Sequence, residues 1–311
     1  MHKRYIFSNL IGTFVFNEHF KVISKVLFKD LKEYQNKEKY EAELSKKFPK
    51  IEAPGEKELH RILDNFRDQK YQNELQKRNL ALTKKKIKES VSNDTIIIQA
   101  IKNISGLDRV INTLTKELRE WFSLNNPEIS EATEDHEKLV NLIAKNHKSK
   151  SEMGSEFSKR DMEPILNLAK EILSLYDLRK KQEEYLEELT KETCQNMSEL
   201  AGALTAARLI ELAGSLKHLA TMPASTIQLL GAEEALFRHL KTGANCPKYG
   251  ILYSHNLIQK TKKSEQGKMA RTLADKISIA VKVDFFKGKF IANKLKKECE
   301  IKYTQLKNVK N

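Results

Sequence analysis

The stretch NDTIIIQAIKNISGLDRVINTLTKELREWFSLNN, residues 93–126, decides how this chain folds. Ile97, Ile104, Ile111 and Leu118 recur every seven residues. So do Ala100, Leu107, Leu114 and Trp121, each three positions later. Four heptads of that regularity predict a long helix with a coiled-coil seam. Asn93, Asp94 and Thr95 offer capping groups at its start, and Asn125–Asn126–Pro127 stops it. A shorter apolar stripe follows at Leu139, Val140, Leu142 and Ile143, and then a polar tip over residues 146–160, with Lys148, Ser149, Lys150, Ser151, Gly154 and Ser155. Beyond it Ile165, Leu168, Ile172 and Leu175 restart the seam, which passes through Arg179 and Gln182 before resuming at Leu186 and Leu189. Two readings of the polar pair stand open. Polar residues in a seam fix register, while a stutter would turn them outward. Either way the segment 93–200 reads as a coiled-coil helical hairpin, with Ile165, Leu168, Ile172 and Leu175 expected to bury against a second copy.

Working outward, residues 5–28 alternate short apolar runs (Tyr5–Phe7, Thr13–Phe16, Val22–Phe28) with polar breaks, the pattern of short strands. A charged helical pattern follows from about 30 to 90, broken at Pro49 and Pro54–Gly55. A small α+β domain over residues 1–92 is expected. From 201 small residues dominate, as in Ala201–Gly202–Ala203 and Ala213–Gly214–Ser215. They let helices approach closely, so 201–311 reads as a compact all-α module. The fold class is therefore mainly α, with a small α+β domain, a coiled-coil hairpin and an all-α C-terminal module.

Lys and Arg number 56 against 42 Asp and Glu, a net charge of +14. That surplus favours polyanions, although both signs are abundant and most charges belong on solvated helix faces. Cys194, Cys246 and Cys299 share no metal-ligand or disulfide spacing, which points away from zinc and toward a reducing compartment. No window reaches the roughly 18 apolar residues needed to cross a bilayer, so a soluble protein is expected. Asn9, Gly12 and Thr13 interrupt the apolar start, which reads as strand rather than signal peptide. No phosphate loop, nucleophile elbow or paired metal motif appears. His136 and His147 read as surface, so neither an enzyme nor a cofactor is expected.

The C-terminal module carries the chemistry, in GAEEALFRHLKTGANCPKYGILYSH at residues 231–255. Met222–Pro223 separates two helices, and Gly231 lets the chain turn. Glu233 and Glu234 open a helix that closes on Arg238, His239 and Lys241, an order that helix electrostatics alone would explain. Met269, Leu273, Ile277 and Ala280 mark the buried side of a later helix, on which Lys268 and Arg271 share a face. Residues 241–276 hold eight Lys or Arg against Glu265 and Asp275, a net of +6. Residues 285–311 hold eight lysines against Glu298 and Glu300, again +6. Two basic segments with a turn and His255 between them suit an RNA backbone and an unpaired base. His255 has a plainer alternative, a satisfied core histidine behind Tyr253.

These residues resemble the Nop domain of the box C/D ribonucleoprotein core proteins, in their archaeal single-copy form. The resemblance runs nearly continuously through AGSLKHLATMPASTIQLLGAEEALFRHLKTGANCPKYGILYSHNLI and KMARTLADKISIAVKVD, and takes in residues 93–305. It implies a non-enzymatic scaffold that binds box C/D guide RNA at a kink-turn, together with a small ribosomal-protein-like subunit. The coiled coil would make a homodimer. The N-terminal domain would carry the methyltransferase fibrillarin for guided 2′-O-methylation of ribosomal or transfer RNA. The resemblance implies that Arg238, Lys241, Lys248 and Arg271 meet RNA, with Lys268 joining them through the face it shares with Arg271, that His255 packs on a base, and that Gly231, Ala232, Glu233 and Glu234 meet the protein partner. A lysine-containing terminal helix without a long charged repeat tail suits a cytoplasmic archaeal protein, with a nucleolar place only in a eukaryote. Two other readings compete: a spliceosomal-type assembly factor with the same domain, and a basic coiled-coil interaction protein without specific RNA recognition. Survival of binding in excess non-specific polyanion separates the last from the others.

Overall fold

The structure, a computed structural model, describes residues 3–145 and 153–308. The chain divides between Val91 and Ser92 into two compact units.

In the first unit, β1 (Arg4–Ser8), β2 (Gly12–Phe16) and β3 (Val22–Leu27) form an antiparallel meander. Helices α1 (Leu31–Gln35) and α2 (Lys37–Lys47) follow, ending before Pro49. The two-residue strand β4 (Ile51–Glu52) adds parallel to β1, giving the order β3-β2-β1-β4. It lies between two prolines and is too short to show any alternation in the sequence. Helices α3 (Glu56–Asp64) and α4 (Gln69–Ser90) complete the unit. All five residues of β2 are buried. Gly12 lies so close to β3 that a Cβ there would sit 2.2 Å from the Val26 carbonyl oxygen. Phe14, Phe16 and Ile62 fill the core around Phe66, whose ring meets that of Phe14 edge-on at 4.9 Å. Helix α4 is tied to the unit by Arg78, which donates to the carbonyls of Leu10 and Phe28 at 3.0 and 2.9 Å.

The second unit is all helical. Helix α5 (Asn93–Ser123) is followed by α6 (Pro127–Ala132), α7 (His136–Ala144) and the 35-residue α8 (Lys159–Thr193). The start of α5 packs with Leu186 near the end of α8, while its later half packs with Ile165, Ala169 and Ile172 near the start. The two long helices therefore run antiparallel. Ile97, Ile104, Ile111 and Leu118 are buried as expected. Of the second line, Ala100 is buried and Leu107 and Leu114 pack against the hairpin core, while Trp121 departs from expectation. Trp121 is 41% exposed, and Ile101, Thr115 and Phe122 are buried instead. The inner face thus steps by four and then three, which places Asp108 in the seam. There the Arg179 Nε donates to Asp108 Oδ1 at 2.5 Å, and its Nη1 to Glu183 Oε2 at 2.8 Å. The polar break is an ionic cross-link between the two helices, and the hydrogen bond to Asp108 holds the Arg179 pKa above its ordinary value.

A second difference concerns dimerisation. Ile165 and Ile172 are fully buried within the chain itself, and Leu168 and Leu175 are packed against the same cluster. These four side chains pack inside the hairpin, against α5 and α7, with Leu168 and Leu175 half-buried. At the expected tip, His147 and residues 148–151 lie outside the described residues. His136 is half-buried in the first turn of α7.

Helix α8 stops at Cys194, and six short helices follow: α9 (Gln195–Ala201), α10 (Ala203–Ala213), α11 (Leu216–Thr221), α12 (Ala224–Leu229), α13 (Glu233–Thr242) and, after a 3₁₀ turn at Ile251–Ser254, α14 (Asn256–Gln259). Two longer helices, α15 (Gln266–Phe285) and α16 (Ala292–Asn308), close the module. Helix α15 is central. Met269, Leu273, Ile277 and Ala280 are fully buried, and α9, α11, α12, α14 and α16 pack on it. A polar knot holds its far end. The Asp284 carboxylate accepts from the backbone N–H groups of Asn196 and Met197 and from the Asn196 amide, at 3.1, 2.8 and 2.7 Å. Asn196 Oδ1 in turn accepts from the N–H groups of Ile291 and Ala292 at 2.6 and 3.0 Å, capping α16. At the start of α5, Ser92 rather than Asn93 occupies the cap. Asp94 instead accepts from the Leu216 N–H at the start of α11. Cys194 and Cys299 are buried thiols, and burial pushes them up to about 12 and about 11. Among the described residues no cluster could hold a metal ion, and no helix is long and apolar enough to cross a membrane.

Ile172→Lys places a charge in a sealed intrachain core. It is expected to cost about 3–5 kcal/mol and to show as a lowered denaturation midpoint. A stably folded variant with an unchanged midpoint would contradict the assignment of this seam to the hairpin.

Candidate nucleic-acid interface

The expected site lies on α12, α13, the loop back from α13, and the first turns of α15. Its geometry depends on two glycines. Gly231 adopts φ 83°, and a Cβ there would meet the Ile251 side chain at 2.4 Å. Gly250 lies against the chain it faces, and a Cβ would fall 1.8 Å from the Leu230 carbonyl oxygen. This close approach allows a short backbone pairing: Gly250 N–H donates to Gln228 O and Ile251 N–H to Leu230 O, both at 2.9 Å. The Gln228 amide donates to Lys248 O at 2.6 Å. The loop after α13 is thus clamped to the end of α12.

The clamp sets where Lys248 goes. Its aliphatic stem runs over Gly267, 3.5 Å from where a Cβ would be. Lys248, Lys268 and Arg271 therefore gather at the start of α15, all exposed. Lys268 is ion-paired with Glu265 at 2.8 Å, so part of its charge is already neutralised. Arg271 is in no ion pair among the described residues. Tyr249 anchors the loop by donating its hydroxyl proton to Gln266 Oε1 at 3.1 Å, and stacks on Tyr253 with ring centres 4.8 Å apart.

Helix α13 fully buries none of its ten residues, with Ala235, Leu236 and His239 half-buried and Leu236 turned toward α12. Glu234, Arg238 and Lys241 lie along one stripe at helical spacing. Glu233, Phe237 and Leu240 form the next, and Phe237 and Leu240 are 60% and 69% exposed. Two large apolar side chains left in water on a short helix mark a contact surface rather than a fold requirement. Composition-led reading missed this pair. The available signal was an apolar spacing of three on a helix with charges on both sides. Glu233 is partly committed, since its Oε1 accepts from the Gly231 N–H at 2.8 Å, whereas Glu234 is exposed. The helix ends on Gly243 at φ 69°, and His239 Nδ1 bonds the Ala244 carbonyl.

His255 departs from the role expected of it. It is the cap residue of α14, with Nδ1 accepting from the Leu257 N–H at 3.2 Å. Nε2 must then carry the proton it donates to Leu200 O at 3.2 Å. Both ring nitrogens are occupied within the chain, so His255 is a structural histidine joining α14 to the end of α9. Burial lowers its pKa, with the bond to Leu200 opposing. The sequence left both roles open, because a cap and a ligand histidine look alike until the acceptor 55 residues away is placed.

Because the folded pKa is depressed, the unfolded chain binds the proton more readily. The contribution of His255 is complete above the unfolded value of about 6.5 and declines as pH falls below it. His255→Ala is expected to cost roughly 1–2 kcal/mol near neutral pH and to flatten the stability profile on the acid side of that value, as read by denaturant titration across pH.

Residues 143–305 match the family model described as "Nop: snoRNA binding domain, fibrillarin". An uncharacterised NOP5 family protein of Methanocaldococcus jannaschii is 44% identical over 239 residues, covering 69% of this chain and 58% of that protein. Nucleolar protein 56 of Schizosaccharomyces pombe is 38% identical over 231 residues, 65% of this chain and 46% of its own length. Nucleolar protein 58 of the same yeast is 36% identical over 238 residues, 68% and 47%. The chain spans about half the length of the curated relatives it matches. A chain from a fibrillarin/Nop5p complex superposes with a TM-score of 0.48 at 24% identity, over 97% of this chain and 99% of that one. With just over half of its residues inside the matched model, the chain belongs to the Nop family, alongside the NOP5 and nucleolar protein 56 and 58 relatives.

Proposed function

We propose that this chain is the scaffold of a box C/D guide ribonucleoprotein and has no catalytic role of its own. The observation that carries the reading is the pairing of family membership with an exposed cationic cluster, Lys248 and Arg271, on a clamped backbone. Arg238, Lys241, Lys248 and Arg271 meet kink-turn phosphates, with Lys268 contributing less because of Glu265. Charge-assisted contacts from side chains on a clamped backbone suit that task. Phe237 and Leu240, with Ala232 and Glu234 nearby, take the small ribosomal-protein-like partner. Gly231 acts by allowing the turn into α13. His255 is left out of the RNA surface.

The first unit is the carrier of fibrillarin in this reading, directing 2′-O-methylation of ribosomal or transfer RNA. Its support is the edge strand β3, which leaves Val22, Ile23 and Leu27 exposed for a protein partner. Pairing with a second copy falls to the outer face of α8, where Leu178 and Tyr185 are exposed seven residues apart. An archaeal protein of this kind works in the cytoplasm, a eukaryotic one in the nucleolus.

A box C/D kink-turn RNA, pre-bound by its small protein partner, should be supershifted by this chain in excess transfer RNA. The shift should vanish when the kink-turn is disrupted. Lys248→Ala and Arg271→Ala should each weaken it by roughly 1–3 kcal/mol, and Phe237→Ser with Leu240→Ser should abolish it. Absence of any supershift by the native chain would refute the scaffold reading. Leu178→Asp with Tyr185→Asp should halve the mass seen by light scattering while leaving the circular dichroism unchanged. An unaltered mass would move the interface elsewhere.

A further inference from the structure

The loop joining α15 to α16, FFKGKFI at residues 285–291, directs apolar rings into water. Phe286 is 77% exposed and Phe290 44%. Lys287, Gly288 and Lys289 between them are exposed as well. The loop is ordered by the rest of the module. Gly288 N–H donates to Val283 O at 2.7 Å and Lys287 N–H to Asp284 O at 3.1 Å. Asn196 holds the N–H groups of Ile291 and Ala292 at the other end. Lys287 takes a φ of 53°, left-handed and uncommon outside glycine. Phe286 is braced edge-on against Phe285 at 5.1 Å. Aromatic groups presented by a pre-ordered loop lose little further entropy on binding.

Charge narrows the class of partner. Residues 285–297 contain five lysines, at 287, 289, 294, 296 and 297, and no acid. Lys296 is paired with Glu199, whereas Lys287, Lys289 and Lys297 are in no ion pair among the described residues. Beside the loop lies a cleft of about 730 Å³, lined in part by Phe285, Lys287, Gly288, Phe290 and Lys217. Asp94, Glu192 and Asp284 also line it. Asp94 and Asp284 already accept backbone N–H groups, and all three disfavour a phosphate inside while tolerating a neutral base with donor groups. Phosphates belong outside, on the lysines.

We infer that this loop is a second RNA-contact surface, built for an unpaired single strand whose bases stack on Phe286 and Phe290 while its phosphates meet Lys287, Lys289 and Lys297. The inference rests on the chain being an RNA binder, and adds a surface distinct from the kink-turn face. Arg271 and Phe286 are fifteen residues apart along α15 and its end, about 22 Å of helix. Only an unpaired strand exposes base faces to such rings, and base–aromatic stacking tolerates any sequence.

The test uses the full chain and a fluorescent uridine-rich single strand of about 12 nucleotides, followed by anisotropy. Phe286→Ala with Phe290→Ala should weaken binding about tenfold. Iodouridine-substituted RNA should crosslink to the 285–291 peptide. The kink-turn supershift of the phenylalanine variant should stay within about twofold of the native chain, which also reports that the variant is folded. Native-level single-strand binding by that variant would overturn the inference. So would no single-strand binding by the native chain, or equal competition by polyglutamate. Phenylalanine-dependent single-strand binding without any supershift would sink the kink-turn reading and leave this loop's role standing.

Discussion

The knot of Asp284 and Asn196 is the interaction on which the rest of the second unit depends. A 35-residue helix would run on into solvent if nothing turned it. It ends at Cys194, where the Asp284 carboxylate takes the two free N–H groups that open α9. Hydrogen bonds to a charged acceptor are the stronger kind, at about 1.5–3 kcal/mol each. Asn196 then passes the constraint on by capping α16. One pair of side chains thereby joins the hairpin to the two longest helices of the module. The tight packing of α15 against five neighbours follows from that placement.

The same rigidity explains how exposed cations become a site. A lysine on a mobile loop gives only average attraction, whereas Lys248 is laid over Gly267 by a backbone clamp that requires glycine at 250. Recognition of a folded RNA requires charges at fixed separations. Helix α13 contributes the complementary element, a surface with an apolar and a basic stripe side by side.

Much of this architecture was legible in the sequence. The strands of the first unit, the breaks at Pro49 and Pro54, the heptads of α5 and the apolar side of α15 all fall where periodicity places them. The end of the second line of the α5 seam did not. Leu107 and Leu114 do pack on the core, but Trp121 lies outside it, and Asp108 meets the partner helix because Arg179 supplies a countercharge that no local pattern reveals. Ile165 and Ile172 showed a seam but not its partner, since an apolar face carries no label for the same chain or another.

By itself, the sequence determined the helical character of the chain, the division near residue 92 and the basic balance of the C-terminal module, because hydrophobic period, proline and charge are local properties. Only the tertiary structure decided which cations stand free, which are neutralised by a neighbour, and that His255 is spent on the fold. It also decided that Phe237, Phe286 and Phe290 face water. Those outcomes turn on pairings between residues distant in the chain, and burial or exposure exists only once such partners are placed.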